Sequence, residues 1–231
     1  MLIVCDFDET AAGHNAARAV LDRFDAAEID ALRARYESGE LSFREYQELV
    51  FRATGAGVEE LSAAAIEAVT LRPGFVDAVM AAQETGARLV VASAGLHIYI
   101  RPVLTLNGLE EIPVVAVSVT ADPATGRIIQ YDYPEAESWC QSDWAVCKCR
   151  PMREALATGE EVVFVGDGLR SDSCAAGIAT TVFARSRLLD YCHQNGIPAM
   201  PYEDFMPVAE YIRQRAKKAA QTSGAGKPGD D

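Results

Sequence analysis

Asp6-Phe7-Asp8-Glu9-Thr10 follows the apolar run Leu2 to Cys5. Ser93-Ala94-Gly95 follows Arg88 to Ala92, and Gly166-Asp167-Gly168-Leu169-Arg170-Ser171-Asp172 follows Glu161 to Val165. Lys148 and Arg150 stand just before a helix-like segment. Four acids, a hydroxyl and a cation can therefore meet beyond the carboxyl ends of strands, where open α/β sheets bind ligands. The set suits phosphoryl transfer. Carboxylates repel phosphate, so a divalent cation must stand between them. Mg²⁺ is the hard ion that takes carboxylate, water and phosphate oxygens together. Asp6 can attack phosphorus and carry an aspartyl-phosphate. Asp8 can protonate the leaving alkoxide and then activate water. Ser93 and a cation can hold the equatorial oxygens as charge develops.

The elements that must position these residues are legible from periodicity. Leu2 to Cys5, Arg88 to Ala92, Glu161 to Val165 and Thr181 to Ala184 read as buried strands. Val114 to Thr120 and Arg127 to Tyr131 read as strands around the turn containing Asp122-Pro123 and Thr125-Gly126. Residues 16–72 show helical spacing and no strand signal. Ser42-Phe43-Arg44-Glu45 there has the form of a capping box. Further helices are expected over Phe75 to Glu84, His97 to Leu106, Pro151 to Thr158 and from Ser173. Strands alternating with helices predict a three-layer α/β, Rossmann-like core with a parallel sheet. Residues 12–72 are expected as a helical insertion, 1–11 plus 73–216 as the core. Residues 217–231, polar and rich in Gly and Ala, are expected as a disordered tail.

Composition bounds the partners. The 231 residues hold 34 acids against 21 bases, a net charge of −13. That disfavours nucleic acid and anionic membranes, which need clustered Lys and Arg. No apolar run reaches the roughly 18–20 residues of a membrane span, and Met1 leads straight into the first strand. A cytoplasmic location is expected, with reduced thiols at its six cysteines. Cys140, Cys147 and Cys149 cluster, yet they offer three sulfurs and no nearby His where zinc wants four ligands.

The four segments together resemble the motifs of the haloacid-dehalogenase-like phosphatases, and residues 12–72 resemble their C1-type cap. The finer resemblance is to the phosphoserine-phosphatase-like branch and its methionine-salvage hydroxy-ketomethylthiopentenyl-phosphate phosphatases. It runs through Arg72-Pro73-Gly74-Phe75, Ser93 to Leu96, Tyr99 to Leu104, the cysteine cluster and Leu188 to Phe205. It implies a Mg²⁺-dependent phosphatase acting on a small phosphomonoester, with Asp6 and Asp8 catalytic. Mg²⁺ would be bound by Asp6, by Asp8 through its backbone carbonyl, and by Asp167 and Asp172. Thr10, Ser93, Ala94 and a cation would bind phosphate. Arg150, which follows Cys149, fits the branch's basic position best; Lys148 is the alternative. A homodimer is implied by the resemblance alone. Three departures stand out. Glu9 replaces a small residue. Asp172 follows Asp167 by five residues where four is usual. No acid occurs in Ala11 to Asn15, where phosphoserine phosphatases read an amine. Phosphoserine phosphatase-like or phosphomutase activity, or a non-catalytic scaffold, are the alternatives.

Overall fold

A computed structural model describes residues 1–24, 27–134 and 145–224. The elements in chain order begin with β1 (Leu2–Cys5), α1 (Ala16–Leu21), α2 (Ala27–Glu37), α3 (Phe43–Ala53), α4 (Val58–Ala68), α5 (Phe75–Thr85) and β2 (Arg88–Leu96). They continue with α6 (His97–Leu106), β3 (Val114–Ala121), β4 (Ile128–Asp132), α7 (Cys149–Ala157) and β5 (Val162–Gly166). The last are α8 (Asp172–Ala176), β6 (Thr181–Ala184), α9 (Ser186–Gln194), β7 (Met200–Pro201) and α10 (Met206–Gly224).

The seven strands form one sheet in the order β4-β3-β2-β1-β5-β6-β7. Every pair is parallel except β3 with β4. β1 is buried on both faces because its residues alternate between two cores. Ile3 and Cys5 pack on one side of the sheet, Leu2 and Val4 on the other. The chain leaves β1 toward β2 on one side, and β5 lies on the other. The crevice beyond the carboxyl end of β1 is therefore the topological switch point.

Two sequence expectations change. β2 runs on to Leu96, but between Ala92 and Leu96 its register against β3 shifts. Four steps along β2 match two along β3, from Val115 to Val117. The surplus makes Ser93-Ala94-Gly95 a bulge, a device that re-aims side chains beside sites. α10 runs to Gly224, past the expected start of the tail at 217. Lys217, Lys218, Ala219 and Ala220 are good helix formers, and they extend a helix already anchored on α5 by Val208, Ala209 and Ile212. The rest of the expected tail lies outside the described residues.

Helices α1–α4 occupy residues 16–68, and Ser42 and Glu45 form the reciprocal capping box. Two chain segments join these helices to the sheet, and they bridge at Ala12 and Leu71. Arg72 binds them together. Its guanidinium donates to the carbonyls of Thr10 (2.8 Å), Glu9 (2.7 Å) and Glu203 (3.2 Å), with longer bonds to Ala12 and Gly13. Glu9 holds φ +57°, a left-handed conformation unusual for a residue with a side chain. Arg185 donates to the same Glu9 carbonyl at 2.9 Å. Two arginines thus restrain one strained peptide, one residue from Asp8. Arg72→Leu leaves several buried carbonyls without donors. It is expected to lower the free energy of unfolding by about 3 kcal/mol, measured by urea denaturation. A change below about 0.5 kcal/mol would show that Arg72 is not the tie.

Candidate active site

Asp6 sits at the carboxyl end of β1, and Phe7–Ala11 then forms one wide turn closed by Ala12 N–H donating to Phe7 O (2.8 Å). Such widened turns recur at functional sites. Within it Asp8 is extended and Glu9 left-handed, which sends Asp6 and Asp8 to different partners. Asp6 Oδ1 accepts from Lys148 Nζ at 2.5 Å. Asp8 Oδ1 accepts from the Ala17 N–H (3.0 Å), at the start of α1. Asp8 Oδ2 lies 3.3 Å from Ser93 Oγ and 3.4 Å from Tyr99 Oη.

Asp172 closes the opposite wall. Its Oδ1 accepts from Lys148 Nζ at 2.5 Å. Its Oδ2 accepts from the N–H groups of Asp167 (3.3 Å) and Gly168 (3.0 Å). The extra residue of this loop is absorbed at Ser171, whose φ of +53° turns the chain so that Asp172 faces back. Thr10 Oγ1 donates to Asp167 Oδ1 at 3.0 Å. Its hydroxyl therefore orients an acid, where the sequence expectation had it holding phosphate.

The two candidate cations separate cleanly. Lys148 is 2% exposed and bridges Asp6 and Asp172. Arg150, the preferred residue in the sequence reading, is exposed and pairs with Glu154 at 3.3 Å. The helix supplies the reason. Lys148, Met152 and Ala155 stand at i, i+4 and i+7 and are all buried. Arg150 and Glu154 share the solvent side. α7 also starts at Cys149, two residues before the expected Pro151.

Burial dominates the electrostatics. It pushes the Asp6 carboxyl well above the usual range, against the lowering pull of Lys148. It raises Asp8 too, opposed by the Ala17 and Ala16 N–H groups. Asp167 rises to about 6 through burial and the neighbouring Asp172 charge. Burial pulls Lys148 down, yet the Asp172 and Asp6 carboxylates outweigh it, so the ammonium is held.

Asp6, Asp167 and Asp172 each offer an oxygen within 4.8 Å of the others. Three buried carboxylates against one ammonium leave an excess of negative charge. Such an excess is costly away from water unless a cation offsets it. The donor set is all hard oxygen, which fits Mg²⁺. The Asp8 carboxylate lies outside this trio, which leaves only its backbone carbonyl for the metal role expected of it. Of the cysteine cluster, Cys147 and Cys149 are buried and outside any disulfide, and Cys140 lies outside the described residues.

A cavity of about 940 Å³ opens over these groups, between the bulge, the acid loop and helices α1–α3. Ser93 and Ala94 line it, as do Tyr36, Phe43, Tyr46 and Phe51. Arg170 stacks on the Tyr36 ring at 4.7 Å, spanning from the acid loop to the helical insertion. Tyr99 is fully buried with its hydroxyl on Asp8. Gly95 explains how it fits. A Cβ there would lie 1.9 Å from Tyr99 Oη and 3.0 Å from Asp8 Oδ2. His14 is held by Ala68 O at 3.0 Å and also lines the cavity.

Comparison with known proteins gives the family and the fold. The sequence model of the haloacid dehalogenase-like hydrolases matches residues 3–176. The 2-hydroxy-3-keto-5-methylthiopentenyl-1-phosphate phosphatase of Bacillus cereus (strain G9842) is 27% identical over 213 residues, 91% of this chain and 95% of its own. That of Bacillus thuringiensis (strain Al Hakam) matches equally. Among solved structures, a substrate-bound phosphoserine phosphatase superposes with a TM-score of 0.64 at 18% identity, covering 91% of this chain and 97% of that one. A cytosolic 5′-nucleotidase IIIB bound to cytidine also gives 0.64, at 15% identity over 96% and 86%. These structures share the fold. No helix among the described residues is long and apolar enough to cross a membrane.

Proposed function

The chain belongs to the haloacid dehalogenase-like hydrolase family, and from that premise we propose that it is a Mg²⁺-dependent phosphatase of a small phosphomonoester. The observation that carries the reading is the buried trio Asp6, Asp167 and Asp172 joined by Lys148. Asp6, Asp167 and Asp172 would hold the ion, with the Asp8 carbonyl as family resemblance implies. When bound, Mg²⁺ supplies the positive charge that lets an anionic phosphate approach carboxylates.

The chain's own groups carry the rest. Asp6 attacks phosphorus and forms the aspartyl-phosphate while the substrate oxygen departs. Asp8, kept toward its protonated form by burial, gives that oxygen its proton. It then takes a proton from the water that attacks the aspartyl-phosphate and releases phosphate. Ser93 and Lys148 hold the phosphoryl oxygens. Asp172 sets Lys148, and Thr10 sets Asp167. Helices α1–α4 act as the cap that excludes water and selects the substrate.

The substrate best supported is of the 2-hydroxy-3-keto-5-methylthiopentenyl-1-phosphate type. The Bacillus relatives named for it align along nearly the whole chain. The aromatic wall of Tyr36, Phe43, Tyr46 and Phe51 suits an apolar thioether tail. The test is purified protein on p-nitrophenyl phosphate and a panel of phosphomonoesters. EDTA is expected to reduce turnover by at least about 100-fold, with Mg²⁺ restoring it. Undiminished turnover in EDTA would exclude the metal. Inactivity across the panel would favour a non-catalytic role.

A further inference from the structure

Gln47 lies on α3 in the wall of the cavity and is 4% exposed. Its Nε2 donates to the Ala94 carbonyl at 2.8 Å. A carbonyl only accepts, so the amide must turn its NH₂ to Ala94, and Oε1 is directed elsewhere by necessity. Oε1 has no hydrogen-bond partner. Buried side-chain oxygens are nearly always paired, and an exception calls for an explanation. A second one stands nearby on the same wall. Tyr36 Oη is also buried without a partner, on the ring that stacks on Tyr46 at 4.6 Å.

We infer that Gln47 is a specificity-determining residue, its Oε1 accepting a hydrogen bond from the hydroxyl beside the ester carbon of the substrate type proposed above. The inference rests on the phosphatase reading and deepens it. The position follows from the chain. Gln47 is tied to Ala94, next to Ser93, and Ser93 reaches Asp8, the group assigned to the leaving oxygen. A hydroxyl one carbon from the ester carbon is the donor nearest that oxygen. A neutral amide oxygen suits a neutral hydroxyl, whereas an ammonium favours a carboxylate.

Three probes test this: n-propyl, 2-hydroxypropyl and 2-aminopropyl phosphate. For the unaltered protein, kcat/KM for the hydroxyl compound is expected to exceed that for n-propyl phosphate by at least about tenfold. Gln47→Leu is expected to bring that ratio near one. The ratio cancels any common loss from the missing Ala94 contact, which a merely structural role would produce equally on both probes. A ratio near one in the unaltered protein overturns the inference, as does a preference for the amine. So does a ratio that survives in Gln47→Leu. Turnover of p-nitrophenyl phosphate judges the phosphatase reading separately: if it persists, failure of the ratio sinks only the role of Gln47. Loss of turnover on every ester sinks both.

Discussion

Asp6→Asn is expected to reduce turnover of any phosphomonoester by about 10⁴-fold or more while leaving the fold intact. The size follows from the role. Removing the group that forms a covalent intermediate removes the pathway, and residual activity then comes from binding and electrostatics alone. The fold is expected to survive because the amide is nearly the same shape. Its Oδ1 can still accept from Lys148, as Asp6 does at 2.5 Å. Asp6 is buried and its carboxyl is already pushed well above the ordinary range by that burial. Replacing it with a neutral amide removes a desolvation cost along with the ion pair, so the free energy of unfolding should change by less than about 2 kcal/mol. Single-turnover kinetics and thermal unfolding of the same sample separate the two effects. Activity within tenfold of the unaltered protein would remove Asp6 from the nucleophile position.

The second large effect concerns the cations. Lys148→Met is expected to lower turnover by about 10³-fold, the scale for losing a donor aimed at developing charge. Without added metal it should also destabilise the fold by about 3–5 kcal/mol. It leaves Asp6 and Asp172 buried with no counter-charge, and breaking one side of a buried pair has that cost. Arg150→Ala is the matched control. Its side chain is exposed and pairs with Glu154 one helix turn on, a kind of contact worth a few tenths of a kcal/mol. Turnover should stay within about twofold and stability within about 0.5 kcal/mol. Steady-state kinetics and urea denaturation of both variants decide the matter. The reverse pattern, with Arg150→Ala crippled and Lys148→Met active, would return the phosphate contact to Arg150.

The Bacillus resemblance and the geometry bear on different parts of the function. Alignment along 91% of the chain supports the proposed substrate type, but at 27% identity it does not say which side chains would read it. The cavity wall supplies the candidates. Its aromatic residues come from α2 and α3, and Gln47 couples the same helices to the Ser93-Ala94-Gly95 bulge. On the proposed function, this amide would join substrate choice to phosphate binding.

What the sequence determined by itself was which residues gather at one edge of the sheet. Asp6, Ser93 and Asp167 follow apolar runs that could only be strands, and a parallel sheet brings the ends of such strands to one edge. Local spacing sufficed because that step depends on chain order alone. What tertiary structure alone decided was direction. Two residues along a helix turn through about 200°, so Lys148 and Arg150 had to face opposite ways. Only the packing of Met152 and Ala155 onto the core chose which of them faced the acids. Thr10 was similarly placed at the site by its motif, but its hydroxyl was assigned to Asp167 by a contact across 157 residues. Gln47 carried no signal in sequence, since an amide on a helix is ordinary until a distant carbonyl takes its NH₂ and leaves its oxygen buried and unpaired.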